Sequence, residues 1–137
     1  KRQAMHRRQF VQLAALVPVL MACGQPAVSV DPYPGAVAAK PEDAPLAAEL
    51  LSTINEVSKA TGVQATLYRI PSGTTYADVK TYYNDALTPK GYTIQDILVS
   101  EGDTINYCGW RSGISLFVVG VVEDNTGDGA YMAVAAK

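Results

Sequence analysis

Histidine is almost absent from this sequence of 137 residues. The single histidine, His6, lies in a basic stretch at the start, so the rest of the chain holds no imidazole. Histidine is the usual general base at neutral pH, the usual activator of a catalytic serine or cysteine, and a frequent ligand of zinc, copper and haem. We therefore expect no catalytic residue, no metal site and no cofactor in the body of the protein.

Cysteine is nearly as scarce, since Cys23 and Cys108 are the only two in the sequence. No CxxC or CxxCH spacing is present, which argues against a dithiol redox motif or an attached c-type haem. Cys108 lies in the strand-like stretch NYCGW, and we interpret it as a small buried apolar residue. A reactive thiol and an intermolecular disulfide are the alternatives. The adjacent Arg111 falls on the opposite face of the strand, where it does not activate the thiol.

Clusters of basic residues are missing after residue 22. The first 22 residues carry four basic side chains and no acidic one. The part after Cys23 has 13 acidic and seven basic residues, a net charge of −6. Nucleic-acid binding requires clustered lysine and arginine to neutralise phosphates. We therefore expect no nucleic-acid partner.

An apolar run follows the basic start of the sequence. Residues 10–22, FVQLAALVPVLMA, are too few for a helix to cross a hydrocarbon core of about 30 Å, and this arrangement is typical of a signal peptide. The run ends in LMACG, residues 20–24, which resembles the lipobox of bacterial lipoproteins. The resemblance implies that Cys23 becomes the mature N-terminus and carries acyl chains that anchor it on the extracytoplasmic, periplasmic side of a membrane. The alternatives are an ordinary signal peptide and a retained membrane helix over residues 1–22.

A pair of arginines precedes the apolar run. Arg7, Arg8 and Phe10 are spaced as in a twin-arginine export signal, which this stretch resembles. His6 and Gln12 stand where that family usually has Ser or Thr and Lys. The resemblance implies export of a folded domain, and export of an unfolded chain is the alternative.

The sequence divides into three segments. Residues 1–22 form the signal peptide or retained helix, residues 23–45 form the lipidated cysteine and a proline-rich tether, and residues 46–137 form a globular domain. Five prolines in residues 24–45 argue against regular helix there. Within the tether, YPGA is a turn that we expect to dock on the domain through Tyr33.

Hydrophobic periodicity predicts two helices and five strands in the domain. The helices cover residues 46–61 and 76–87, and the strand-like stretches are 63–70, 92–99, 104–110, 114–122 and 130–136. Short turns between the last strands favour antiparallel neighbours. We therefore predict an α+β fold with the order α-β-α-β-β-β-β, in which an antiparallel sheet of four to five strands carries both helices on one face.

The acidic loop at residues 124–129, DNTGDG, shares three positions with the EF-hand calcium loop. Position 12 of that pattern is Ala135, so the bidentate glutamate is missing. We interpret the loop as a polar hairpin connection with two glycines at positive φ. Weak calcium binding is the alternative.

Tyrosine is frequent, with eight in the chain. Its ring packs against apolar surface while its hydroxyl remains in water, which suits half-buried contact surfaces. We expect Tyr33, Tyr82 and Tyr83 to contribute to a surface that binds a partner.

These observations favour a non-catalytic, membrane-anchored lipoprotein. We expect an accessory or structural subunit on the extracytoplasmic face of a larger membrane complex, in contact with integral membrane subunits. Lipid-anchored peripheral subunits of electron-transfer complexes are of this type. The alternative is a free-standing lipoprotein that binds a small ligand or a cell-envelope polymer.

Overall fold

The computed structural model describes residues 29–137 of the chain. The basic stretch, the apolar run and Cys23 lie outside the described residues, and so do the signal-peptide and anchor-helix predictions that fall on them. Within residues 29–137, neither helix has the length and apolar character that crossing a bilayer requires.

Two helices and six strands make up the described part of the chain. The helices are α1 (Pro45–Val57) and α2 (Tyr76–Leu87), and the strands are β1 (Val37–Ala38), β2 (Thr66–Ile70), β3 (Thr93–Ile94), β4 (Ile105–Ser112), β5 (Ser115–Val122) and β6 (Ala130–Ala136). All strands pair antiparallel in one sheet of order β1-β2-β6-β5-β4-β3. The predicted α+β class and antiparallel sheet are confirmed, whereas the predicted strand count and element order are wrong.

Helix α2 begins where the sequence predicts it. The hydroxyl of Thr75 accepts a hydrogen bond from the backbone N–H of Asp78 at 3.1 Å, and the Asp78 carboxylate accepts one from the Thr75 N–H at 3.1 Å. This reciprocal arrangement is a capping box, which satisfies two N–H groups that have no partner within the helix. Glu123 adds a third acceptor, because its carboxylate lies 2.8 Å from the backbone nitrogen of Tyr76.

Strand β5 is buried on both of its faces. From Leu116 to Val122 every residue is buried. Alternate residues pack against α2 in one core, with the members Phe117, Val119, Val121, Val79, Tyr83 and Leu87. The intervening residues pack against α1 in a second core, with the members Leu116, Val118, Val122, Ala47, Leu50 and Ile54. The two helices therefore lie on opposite faces of the sheet, and the predicted arrangement on one face is wrong.

The edge strand β3 is shorter than the predicted strand at 92–99. From Ile94, opposite Trp110, to Ser100, opposite Tyr107, this edge advances six residues while β4 advances three. The three extra residues form a 3₁₀ turn, Asp96–Leu98, which interrupts the ladder. An interrupted edge offers fewer free backbone groups in a row for pairing with another chain.

The opposite edge is β1, which lies inside the predicted tether. Val37 and Ala38 pair with Arg69 and Tyr68 of β2, so the fold begins before residue 46. Proline at position 41 sits in a 3₁₀ turn that leads directly into α1. Residues that the sequence assigns to the tether therefore contribute an edge strand and a 3₁₀ turn to the fold.

Gly120 lies at the centre of β5, beneath α1. Its φ is not positive, so strand geometry does not require glycine there. A Cβ at this position would lie 2.8 Å from Cγ1 of Ile54 and 3.0 Å from Cδ1 of Leu50. Carbon atoms in contact are normally about 3.5–4.0 Å apart. The missing side chain therefore sets how closely α1 approaches the sheet.

We expect Gly120→Ala to lower the free energy of unfolding by about 1–3 kcal/mol, the usual cost of overpacking a core. Urea unfolding followed by the fluorescence of Trp110, the single tryptophan, measures this change. Ile54→Ala removes the closest atoms that the new methyl group meets and leaves only Leu50 Cδ1, so Gly120→Ala should cost less in that background. An equal cost in both backgrounds would contradict the packing explanation.

Candidate functional site

Residues 30–36 form a strap that docks on the domain at the side of α2. The strap closes in a β-turn, in which the Ala36 N–H donates to the Tyr33 carbonyl at 2.9 Å. Gly35 occupies the third position of this turn with φ +85°, a conformation that favours glycine. A Cβ on Gly35 would also lie 2.7 Å from Cγ of Pro71. The predicted YPGA turn is confirmed, and it packs against the start of the β2–α2 loop.

The strap brings the three predicted site tyrosines together. The ring centroids of Tyr33 and Tyr82 are 5.4 Å apart at 76°, and those of Tyr82 and Tyr83 are 5.0 Å apart at 90°. Edge-to-face geometry of this kind is the favoured arrangement of aromatic pairs. The backbone N–H of Tyr33 donates to the Tyr83 hydroxyl at 3.1 Å, and the Tyr82 hydroxyl donates to the carbonyl of Asp31 at 3.0 Å. The cluster therefore joins the strap to α2 through both rings and hydrogen bonds.

The three tyrosines differ in how much of each is exposed. Tyr83 is only 1% exposed and belongs to the core on the α2 face, where burial raises the pKa of its phenol. Tyr33 and Tyr82 are half-buried and keep part of their surface at the solvent boundary. The contacts of Tyr83 are thus internal to the described domain. The exposed surface of the cluster belongs to Tyr33 and Tyr82. Binding of a partner there stays a prediction.

Cys108 lies beneath α2 and has no exposed surface. It shares the core with Trp110, as the alternation in NYCGW predicts, while Arg111 lies on the other face. Burial raises the pKa of its thiol to about 11, with opposing effects from hydrogen bonding to Tyr76 and from Lys80. The thiol is therefore protonated at neutral pH and covered by the protein. A reactive cysteine must instead be deprotonated and accessible to its reaction partner.

A cleft of about 380 Å³ lies between the start of α2 and the loop before β4, at the end of the sheet where β5 ends and β4 begins. We call this the loop end; it is formed by residues 71–75, 99–104 and 123–129. Lys80 bridges the cleft to Glu101, with 2.8 Å between Nζ and Oε2. Hydrogen bonding by Lys80, and then by Tyr76, holds the pKa of Glu101 below its ordinary value.

The other polar groups of this cleft are also engaged within the protein. The Tyr76 hydroxyl donates to the carbonyl of Tyr107 at 3.2 Å, and burial raises the pKa of this phenol. The Asn106 side chain accepts from the Gly102 N–H at 2.7 Å, and Glu123 caps α2. The cleft thus has the shape of a site, but the interactions of its polar groups hold the loop end together.

The loop at residues 124–129 uses its carboxylates in the same way. Asp124 accepts from the Ser72 hydroxyl at 2.8 Å and from the Gly127 N–H at 2.9 Å, and these bonds hold the pKa of Asp124 below its ordinary value. Gly127 and Gly129 have φ of +89° and +102°, as the sequence predicts. Among residues 29–137 no three His, Cys, Asp or Glu side chains lie close enough together to hold a metal ion.

Sequence reasoning missed two partners in this region. The positive charge of Lys80 acts to lower the pKa of the Cys108 thiol. Glu123 accepts a hydrogen bond from the backbone N–H of Tyr76, at the start of α2. Both lie far along the chain from the groups that they contact, and neither belongs to a motif. The regular one-turn spacing of Tyr76 and Lys80 on α2 was the available signal, since residues four apart share a helix face.

Tyr83→Phe tests whether the tyrosine cluster holds the strap in place. The substitution removes the acceptor of the Tyr33 N–H, so we expect a loss of about 0.5–1.5 kcal/mol in the free energy of unfolding. We also expect faster cleavage of residues 29–36 in limited proteolysis, because the strap opens more often. Tyr82→Phe, which removes a more exposed hydrogen bond, is the matched control with a smaller effect. Unchanged proteolysis in both variants would refute a docking role for the hydroxyls.

The free energy of unfolding should fall at alkaline pH, because the Cys108 thiol loses its proton at a higher pH in the folded state than in the unfolded state. The pKa of Cys108 is raised from 9.0 to about 11, so its contribution is complete below pH 9 and is lost as the pH rises toward 11. The raised pKa values of Tyr76 and Tyr83 add to the decline above pH 10. Urea unfolding from pH 7 to 11 measures this decline. In Cys108→Ala the fall between pH 9 and 10 should be shallower, and an unchanged slope would assign the decline to other groups.

The chain was also compared with known proteins, and no family model, curated protein or solved structure matches it.

Proposed function

We propose that this chain is a non-catalytic lipoprotein, anchored by acyl chains on Cys23 at the extracytoplasmic, periplasmic face of a membrane. The observation that carries this proposal is the stretch LMACG, residues 20–24, placed directly after a basic segment and a short apolar run. That order is the one in which a secretory signal precedes a processing site. Two or more acyl chains hold a protein firmly, where one gives only marginal binding.

The chemistry of the described domain supports a non-catalytic role. Cys108, the one cysteine among residues 29–137, is protonated at neutral pH and covered by α2. The polar groups that line the loop-end cleft cap a helix, bridge Lys80 to Glu101 or close turns. A general acid or base must instead be free to exchange a proton with a bound substrate.

We further propose that the protein is an accessory or structural subunit of a larger membrane complex, such as an electron-transfer complex. Its partners are integral membrane subunits, and its contribution to them is protein contact. The half-buried rings of Tyr33 and Tyr82 suit such a contact, because aromatic residues are enriched in the interiors of protein interfaces. The strap that carries Tyr33 is also the part of the described chain closest in sequence to Cys23.

Acylation of Cys23 is tested by metabolic labelling with a tagged fatty acid and by the intact mass of the membrane-extracted protein. We expect a polypeptide that begins at Cys23 with added acyl mass, and Cys23→Ser should abolish the label. Cys108→Ser is the matched control and should retain the label. A mass that includes residues 1–22, or label that persists in Cys23→Ser, would overturn the anchor.

Association with a complex is tested by purification from membranes in a mild detergent. We expect integral membrane proteins to co-purify in fixed stoichiometry and to dissociate when Tyr33→Ala and Tyr82→Ala are combined. A monomer without partners contradicts the subunit role. In that case, stabilisation of the monomer by a small ligand or a cell-envelope polymer in a thermal scan would support the free-standing alternative.

A further inference from the structure

Basic side chains gather at the end of the sheet opposite the loop end. We call it the hairpin end; it comprises the β4–β5 turn and residues 59–62 and 88–91. Arg111 of β4 pairs with Leu116 of β5. The backbone of Leu116 exchanges two hydrogen bonds, of 3.0 and 2.8 Å, with Lys137 beyond β6. Cross-strand partners point to the same face, so two cations flank Leu116 on the α1 face.

Two further lysines lie beside this pair. The Lys137 ammonium donates to the Thr61 carbonyl at 3.1 Å, and Lys59 belongs to the same 3₁₀ turn, Lys59–Thr61. Lys90 precedes Gly91, whose Cβ position lies 3.6 Å from the hydroxyl of Ser112 in the hairpin. Four of the seven basic residues of the described chain thus lie at the hairpin end.

Ile114 stands at the tip of this basic end. It is 93% exposed, the highest value among the large apolar residues of the described chain. Gly113, with φ +62°, starts the two-residue turn that projects it. Arg111 and Lys137 line the same cleft as Ile114. An exposed isoleucine beside basic side chains is a combination that binds anionic lipid surfaces, where apolar burial and electrostatic attraction add.

The loop end has the opposite charge. Five carboxylates lie in its two longer loops: Glu101, Asp103, Glu123, Asp124 and Asp128. The eight residues of β5 separate the two ends, a distance of roughly 27 Å at 3.4 Å per residue. These five carboxylates and the four basic residues of the hairpin end therefore lie at opposite ends of the central strands. Glu56 is an acidic residue at the hairpin end, where its carboxylate lies 3.7 Å from the Lys59 ammonium.

The strap leads toward the basic end. Gly35 lies against Pro71 at the loop end, whereas Tyr33 contacts Tyr83 in the second half of α2. Helix α2 runs from the loop end to the hairpin end, because its first residue contacts Glu123 and the turn after it lies beside the hairpin. Followed from Gly35 toward the N-terminus, the chain therefore moves toward the hairpin end.

We propose that the hairpin end rests on the anionic lipid surface that holds the acyl chains of Cys23. This inference depends on the proposed lipid anchor. Only six residues separate Cys23 from Val30, the first strap residue packed on the core, and six residues reach at most about 20 Å. The domain is thus kept close to the bilayer, with Ile114 in the headgroup layer and the carboxylates of the loop end directed away from it.

The test uses the acylated full chain reconstituted into vesicles of phosphatidylcholine and phosphatidylglycerol in equal parts. A fluorophore is attached to a cysteine introduced by Ile114→Cys or by Thr126→Cys, in the Cys108→Ala background. Spin-labelled lipid headgroups quench fluorophores at the membrane surface. We expect quenching at position 114 to exceed that at position 126 by about twofold or more, and the difference to shrink at high salt.

Arg111→Glu should reduce the quenching at position 114, because it reverses a charge of the basic end. Arg69→Glu is the matched control, since Arg69 is also an exposed strand arginine but lies beside Gly129 at the loop end. If Arg111→Glu lowers the melting temperature, Lys90→Glu in the surface turn replaces it. Equal quenching at positions 114 and 126, or no effect of either charge reversal, overturns the orientation. If the chain extracted from membranes carries no acyl groups, the anchor is overturned, whereas equal quenching in an acylated, vesicle-bound chain overturns the orientation alone. The two failures are therefore distinguishable.

Discussion

Burial of β5 on both faces is the constraint on which the rest of the structure depends. An antiparallel sheet usually keeps one face in water and shows alternating apolar and polar residues. Here LFVVGVV runs through the centre of the sheet without a polar residue, so each face requires its own cover. Helix α1 covers one face and α2 the other, which explains why a chain with two helices and an antiparallel sheet forms three layers.

The strap and the interrupted edge follow from the same constraint. One helix of 12 or 13 residues is narrower than a six-stranded sheet, so apolar surface remains beside it. On the α2 face the strap packs Val30 and Tyr33 against this remainder. On the α1 face Leu98 packs against the remaining apolar surface. It lies over Gly109, which has no side chain to occupy that space. Segments that the sequence predicts as tether and as a strand over residues 92–99 are therefore structural parts of the two cores.

Local signals allowed much of the fold to be predicted from the sequence. The start of α2 at Tyr76, the YPGA turn and the two glycines of the acidic loop each depend on residues within a few positions, and each is confirmed. Each helix packs against one of the two alternating sets of β5 side chains. Which set it meets depends on contacts between residues far apart in the chain, so local signals do not predict it. The continuous apolar run was the available sign that both faces are buried.

The candidate site was predicted less completely, for a related reason. That Tyr33 docks on the domain follows from its turn, whereas the partners of Cys108 are brought in by α2 and by a distant loop. Composition alone indicates that the body lacks imidazole, and this absence does not depend on the fold. What composition cannot indicate is that the polar groups nearest the loop-end cleft are already bonded to one another.

The separation of charge resolves an apparent conflict in the proposed membrane orientation. A body with a net charge of −6 is, taken as a whole, repelled by an anionic bilayer. Electrostatic interactions in salt reach only about 8–10 Å, and the carboxylates of the loop end lie roughly 27 Å from the hairpin tip. The surface therefore acts on the basic residues of the hairpin end, of which Lys59 is paired with Glu56, more strongly than on the acids of the loop end. A short connection to Cys23 then needs only to keep the domain near the bilayer, because the charge distribution orients it.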